Sequence, residues 1–216
     1  MRFAREGYPF IGIALLLMGG ALGLALSRRT LLFWVLATVT TVVALWVAYF
    51  FRDPERTGPR GENLVVAPAD GIVLPVSEVH EPTFLGGTAL RISIFMNVFD
   101  VHVNRYPVSG VVKQVDYNRG RFLHAASDKA SLDNEQRSVG IEGSAHRVLV
   151  RQIAGLVARR IVTYSRPGDR AEQGERMGII RFGSRVDVFV PRDTRIRVRE
   201  GERVRAGSTT IAEFTP

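Results

Sequence analysis

Polar and apolar positions divide the chain sharply near residue 51. Tyr8 to Leu26 runs without a charge, and Leu31 to Phe51 forms a second uncharged stretch. Each approaches the ~20 apolar residues needed to cross a bilayer's hydrocarbon core. Only Ser27-Arg28-Arg29-Thr30 separates them, so the pair predicts a tight helical hairpin. Beyond Phe51, Arg52-Asp53-Pro54-Glu55-Arg56-Thr57-Gly58-Pro59 is polar and punctuated by proline, as linkers are. The rest consists of short β-type runs between turn residues. They are Ile72 to Val79, Ala89 to Phe95, Val108 to Tyr117, Val148 to Ile153, Ile161 to Tyr164 and Val186 to Val190. Arg195-Ile196-Arg197-Val198-Arg199 alternates strictly, which buries one face and leaves the arginines to solvent or headgroups. Helical periodicity is scarce, with one short helical or irregular segment expected around Ser127 to Gln136. The pattern predicts a mainly β chain: a membrane-anchoring hairpin over 1–51, a linker over 52–62, and a compact β barrel or sandwich over 63–216.

Charge and composition narrow the partners. The formal net charge is +8, nearly all of it arginine, since Lys113 and Lys129 are the only lysines. Such a balance fits a polyanionic partner, either nucleic acid or an anionic membrane surface. The hydrophobic hairpin favours the membrane, and the recognition motifs of nucleic-acid binders are missing. Arg2 and Arg5 before the first stretch also fit a signal peptide, but no small-residue cleavage site separates the two stretches. Pro9 and several glycines leave a shallow re-entrant hairpin as an alternative. Arg2, Arg5, Arg52, Arg56 and Arg60 outnumber Arg28 and Arg29, so the positive-inside rule puts both ends of the hairpin in the cytoplasm. With no cysteine in the chain, disulfides, thiolate zinc sites and cysteine nucleophiles are excluded.

Candidate chemistry concentrates near the C-terminus. In Val204-Arg205-Ala206-Gly207-Ser208-Thr209-Thr210-Ile211 a serine directly follows a glycine on a turn before a short apolar strand. Such a serine can attack the carbonyl that precedes it, because glycine does not block the approach and tolerates strained backbone angles. Gly-Ser-Thr also occurs in ordinary surface turns. Gly201-x-x-Val204-x-x-Gly207 further resembles the hairpins of lipoyl-type barrels, which would make the chain a non-catalytic, membrane-tethered binding module. That reading needs a lysine at the hairpin tip, and neither lysine is there. Phosphate-loop, His-Glu-x-x-His and dinucleotide fingerprints are absent, and the four histidines lack metal-ligand spacing. His102 stands out among them, lying just after a strand among polar groups able to orient an imidazole. Asp70, in Ala67-Pro68-Ala69-Asp70-Gly71, sits in a tight turn.

Taken in order, several segments carry a family resemblance. They are Phe51-Arg52-Asp53-Pro54, Ala67-Pro68-Ala69-Asp70-Gly71, Val101-His102-Val103-Asn104-Arg105, Asp128-Lys129-Ala130-Ser131 with Asn134-Glu135, Arg151-Gln152-Ile153-Ala154-Gly155 with Ala158-Arg159-Arg160, Gly178-Ile179-Ile180-Arg181-Phe182-Gly183-Ser184-Arg185, and Ala206-Gly207-Ser208-Thr209. The chain resembles the short, membrane-anchored phosphatidylserine decarboxylases, and the resemblance spans essentially its whole length. It implies a proenzyme that cleaves itself between Gly207 and Ser208, leaving a long chain 1–207 and a short chain 208–216. Ser208 would become a pyruvoyl group, the self-derived cofactor, which forms a Schiff base with the lipid amine. Asp70 and His102 are then candidates for base and orienter in self-cleavage, and His102 also for the proton donor after carbon dioxide leaves. Longer family members carry a second histidine three residues on, where this chain has Arg105, which stays protonated and cannot act as a base. Arg181 and Arg185 flank a Phe-Gly-Ser turn and would hold the headgroup, or else pair with Asp187 and other carboxylates. Lys129 would touch a phosphate or the neighbouring backbone. The expected product is phosphatidylethanolamine, and a homodimer is expected from base rates.

Overall fold

The computed structural model describes residues 2–120, 134–144, 146–155, 160–181 and 184–215. Lys129 and residues 127–133 of the segment read as helical lie outside them. The chain forms two compact units, Met1–Glu55 and Arg56–Pro216.

In the first unit, β1 (Arg2–Phe3) leads into α1 (Tyr8–Arg28), α2 (Leu31–Phe50) and β2 (Arg52–Asp53). Both helices are long and apolar enough to cross a membrane. Their contact is a seam of small side chains, Ala21, Ala25 and Ala37, with Phe33 beside it. Small residues let helix backbones approach where no hydrophobic drive exists. Outward-facing leucines such as Leu16 and Leu31 are 78% and 80% exposed, an apolar surface of the kind that suits association with a membrane. Thr38 and Thr41 return their hydroxyls to the carbonyls of Trp34 and Ala37, so they present no unpaired donor to an apolar medium. Arg29 adopts a left-handed φ of 52° and its N–H caps Ala25, which ends α1. Strands β1 and β2 pair antiparallel, Arg2 with Asp53 and Phe3 with Arg52, and so tie the two open ends of the hairpin together. Part of the expected linker is therefore this strand, built into the first unit.

The second unit is almost wholly strand. It begins with β3 (Leu64–Val66), β4 (Gly71–Val73), β5 (Ser77–Glu81), β6 (Gly87–Met96), β7 (Val103–Arg105), β8 (Gly110–Asn118) and β9 (Gln136–Glu142). It continues through β10 (Arg147–Ala154), β11 (Arg160–Thr163), β12 (Arg170–Ala171), β13 (Arg176–Arg181) and β14 (Ser184–Pro191). Last come β15 (Arg195–Ile196), β16 (Arg203–Val204) and β17 (Thr210–Glu213). The main sheet runs β12-β8-β9-β10-β14-β6-β4-β16, with β5 also on β6, and curls into a half barrel. Two small sheets, β11-β13-β7 and β15-β17-β3, accompany it.

Register explains why β14 is buried along nearly its whole length. Val188 faces Val150 on one side and Ile92 on the other, and Val150 in turn faces Val139. This apolar row belongs to the main core, where each fully buried Val or Ile contributes about 1.5–3 kcal/mol. One residue along, side chains point to the opposite face, and the row becomes Ser138, Arg151, Asp187 and Ser93.

Two expectations are corrected. Ile72 to Val79 is not one strand: β4 ends at Val73 and β5 begins at Ser77. Pro75 lies in the gap, with no N–H to continue a ladder. Likewise Gln136, at the end of the segment expected to be helical or irregular, opens β9, a strand whose polar start hides it from pattern reading. In residues 195–199 the arginines are exposed while Ile196 and Val198 turn inward.

Candidate active site

The turn that carries Gly207 and Ser208 joins β16, paired to β4 in the main sheet, to β17, paired to β3 in a small one. Because its flanking strands belong to different sheets, the turn is fixed at both ends. The amides of Ser208 and Thr209 both donate to the Arg205 carbonyl, each at 3.1 Å, and Thr209 Oγ1 accepts from the Arg205 N–H at 3.0 Å. Segment 67–70 grips it from the side. Gly207 N–H donates to Ala67 O, and Ala67 N–H donates to Thr209 O, both at 2.8 Å.

Gly207 has φ +66°, the left-handed region that favours glycine. A Cβ there would fall 2.9 Å from Arg105 Cδ. Arg105 is buried and donates through Nη1 to Gly174 O at 2.8 Å. Residues three apart in an extended run point to opposite faces, and of the two it is Arg105 that packs against the turn.

The segment expected to be a linker closes the other side. Arg60 Nη1 donates to the Gly207 carbonyl oxygen at 2.8 Å. Gly58 lies so close that a Cβ on it would stand 2.6 Å from Ser208 Cα and 2.9 Å from Gly207 O. Arg56 Nη2 meets Asp70 Oδ2 at 2.6 Å, and both side chains are nearly buried. Asp70 Oδ1 accepts from the Ala206 N–H at 2.8 Å. Asp70 is thus committed to the turn and to Arg56, and among the described residues no hydrogen bond joins it to His102. The expected pairing of these two groups is not what the fold builds.

His102 is fully buried between β6 and β7. Its Nδ1 lies 3.0 Å from Asp100 O. A carbonyl only accepts, so Nδ1 carries the proton and Nε2 holds the basic lone pair. Asp100 is itself anchored, accepting from Arg203 Nη1 at 2.7 Å and from the Asn97 N–H at 2.9 Å. Arg203 begins β16, which leads into the Ser208 turn. The carbonyl of His102 accepts from Ile180 N–H at 3.4 Å, which places Arg181, at the end of β13, one residue from that bond. Beside His102 a buried amide chain runs from Thr163 Oγ1 to Gln152 Oε1 (2.5 Å) and from Gln152 Nε2 to Asn104 Oδ1 (2.7 Å). It rigidifies the junction of β7, β10 and β11.

Arg185 takes the structural alternative. It is 1% exposed, its Nε lies 2.5 Å from Asp187 Oδ1, and Nη2 donates to Ser93 Oγ at 2.7 Å. Positions 185 and 187 share one face of β14, and the headgroup role does not survive this burial. Asn134 Nδ2 donates to Ala154 O at 2.7 Å, which ties that segment to the sheet. Among the described residues no cluster of His, Asp and Glu could hold a metal. Three groups that bear on the turn, Arg56, Gly58 and Arg60, escaped the sequence reading as site residues. Their only signal was two arginines and a glycine in a polar stretch after the anchor.

A cavity of about 780 Å³ adjoins Arg60, bounded by Gln173, His146 and Phe214 among others. His146 and Phe214 stack there, with centroids 3.9 Å apart. Neither Ser208 nor His102 lines it.

Comparison with known proteins places this architecture in a class of decarboxylases made as proenzymes. The family model for phosphatidylserine decarboxylase matches residues 43–212. A phosphatidylserine decarboxylase proenzyme of Symbiobacterium thermophilum is 50% identical over 212 residues, covering 98% of this chain and 95% of its own. One from Burkholderia mallei is 49% identical over 217 residues, covering 98% and 94%. One from Azorhizobium caulinodans is 51% identical over 213 residues, covering 97% and 88%. The chain belongs to the phosphatidylserine decarboxylase family, the family its motifs resemble.

Proposed function

We propose that this chain is a proenzyme that cleaves itself between Gly207 and Ser208, converts Ser208 to a pyruvoyl group, and decarboxylates phosphatidylserine to phosphatidylethanolamine and carbon dioxide. The observation that carries the reading is the held turn: a glycine in the left-handed region before a serine, its carbonyl oxygen gripped by Arg60 at 2.8 Å.

Self-cleavage needs no external reagent except water. The Ser208 Oγ–H gives up its proton as Oγ attacks the Gly207 carbonyl carbon. The C–N bond breaks, the nitrogen takes a proton, and an ester replaces the amide. Loss of the Ser208 α-proton then expels Gly207 as a carboxylate, and water replaces the resulting imine nitrogen, releasing ammonia. Ser208 is part-exposed, which suits a residue that must react with water and later meet a lipid headgroup. The fit of the mature group rests on the same turn, pinned at Ala67, Asp70 and Arg205. When present, a pyruvoyl ketone binds the substrate amine and accepts the electrons left by the departing carboxylate.

The chain's own groups take the remaining roles. Asp70 keeps the turn in register through the Ala206 N–H and is the proposed acceptor of the Ser208 proton. His102, with Nδ1 directed at Asp100 O, presents Nε2 for moving a proton. Arg181 is the proposed headgroup cation.

The hairpin holds the enzyme on the cytoplasmic side of the cell membrane. Both ends of the hairpin share one side, because β1 pairs with β2, and the arginines cluster there. Arg52 caps this end, its guanidinium 3.6 Å above the Tyr49 ring. Extracting a diacyl lipid into water would expose its chains at ~0.8 kcal/mol per methylene, so an anchored enzyme lifts only the headgroup.

The test is direct. Purified protein should resolve into two chains split at 207/208 and release carbon dioxide from phosphatidylserine in mixed micelles. Ser208→Ala should remain whole and inactive. An intact wild-type chain with full activity, or an active Ser208→Ala, would refute the reading.

A further inference from the structure

We infer that Arg60 is the oxyanion-stabilising group of self-cleavage, a catalytic residue supplied by the segment that joins the hairpin to the β unit. The inference rests on cleavage at Gly207–Ser208 as proposed above. When Ser208 Oγ adds to the Gly207 carbonyl carbon, the carbonyl π pair moves onto the oxygen, which becomes an alkoxide. Arg60 Nη1 already donates to that oxygen at 2.8 Å in the uncleaved chain, so a charged donor is in place before the negative charge develops. The guanidinium stays protonated throughout, so it offers a fixed positive charge and no proton leaves it.

The surroundings fix that charge in place. Arg60 Nη1 also donates to Pro59 O at 2.9 Å. Its other nitrogen lies against Gly174, where a Cβ would fall 2.0 Å from Nη2. Gly174 O in turn accepts from Arg105, so both arginines converge on Gly174 beside Gly207. Gly58 lets the strap descend to contact distance of Ser208 Cα. Two residues before it, Arg56 grips Asp70, which holds the Ala206 N–H. One short strap therefore bears on the carbonyl, the serine and the carboxylate together. After elimination Gly207 ends in a carboxylate, and the same Arg60 nitrogen becomes its ion-pair partner.

The experiment follows processing of the full chain in detergent, by intact mass over time, for wild type, Ser208→Ala, Arg60→Ala and Arg60→Lys. Removing one oxyanion donor slows reaction by about 10²–10³-fold, so Arg60→Ala should accumulate as uncleaved, folded precursor. That precursor should resist hydroxylamine, because the amide has not become an ester. Millimolar methylguanidinium should restore its cleavage, and Arg60→Lys should process at an intermediate rate. Wild-type speed in Arg60→Ala overturns the inference, as does a hydroxylamine-labile ester or a slow, folded precursor that methylguanidinium does not rescue. If Arg60→Ala does not fold, Arg60→Lys decides: intermediate speed supports the inference, and wild-type speed or full arrest overturns it. An uncleaved wild type refutes instead the underlying reading, whatever the variants do.

Discussion

Replacing Gly207 with alanine tests the strained turn itself. The residue has φ +66°, and the left-handed conformation costs an L-residue with a Cβ about 1–2 kcal/mol. The new methyl would also stand 2.9 Å from Arg105 Cδ. Arg105 cannot swing away freely, because its guanidinium is fixed on Gly174 O at 2.8 Å, and overpacking of this kind costs about 1–3 kcal/mol. Taking the lower end of both contributions, about 2 kcal/mol separates the alanine variant from the reactive geometry, or roughly a 30-fold slower cleavage at 1.36 kcal/mol per decade. The assay is a time course of precursor and product after synthesis in vitro with nanodiscs, read by gel mobility and intact mass. Cleavage within about twofold of wild type would show that neither the backbone angle nor the packing of Gly207 shapes the reaction.

Other expectations follow from the same network. His102→Gln should leave cleavage intact and reduce kcat for carbon dioxide release by about 10²–10⁴-fold, as loss of a general acid does; an unchanged kcat assigns the proton to another group. Asp70→Ala frees Arg56 and the Ala206 N–H and removes the proposed proton acceptor, so processing should slow at least about tenfold, and Asp70→Asn, whose amide can hold the Ala206 N–H but takes no proton from Ser208, should slow about as much. Wild-type rates in both would remove Asp70 from the mechanism. Glu81 offers a stability test. Burial raises its pKa, but hydrogen bonds from the Thr83 hydroxyl and the amides of Leu85, Phe84 and Thr83 outweigh that, and the net pKa lies below the ordinary value. A depressed carboxyl stabilises the fold above its unfolded pKa and loses that contribution as pH falls through its folded value. Glu81→Gln should therefore lower stability by about 1–3 kcal/mol at neutral pH, with the deficit shrinking below about pH 4, measured by chemical denaturation. A deficit independent of pH would contradict the assignment.

The parts of this molecule that were legible in its sequence are those with local causes. Two long uncharged stretches read directly as the helices α1 and α2, and alternation at 195–199 reads directly as exposed arginines over inward Ile196 and Val198. The cleavage turn was visible because Gly207 and Ser208 are adjacent. Arg60 was not, since it lies 147 residues from the carbonyl it holds and only closure of the sheets brings them together. Arg185 shows a different limit. Its sequence context admits a headgroup or an Asp187 partner equally, and only its position on the buried face of β14 decides. The split between β4 and β5 was signalled by Pro75 but outweighed by the apolar run around it. Asp70 and His102 both belong to marked segments, yet the fold directs them to different partners, one to the turn and one to Asp100.

The most direct measurement is mass spectrometry of the short chain from active, freshly purified protein, before and after borohydride. The account predicts a segment beginning at position 208 with a blocked terminus, lighter than the serine peptide by one ammonia and reducible at a ketone with loss of decarboxylase activity. A free amino-terminal serine there, or an active chain unbroken at Gly207, would contradict it.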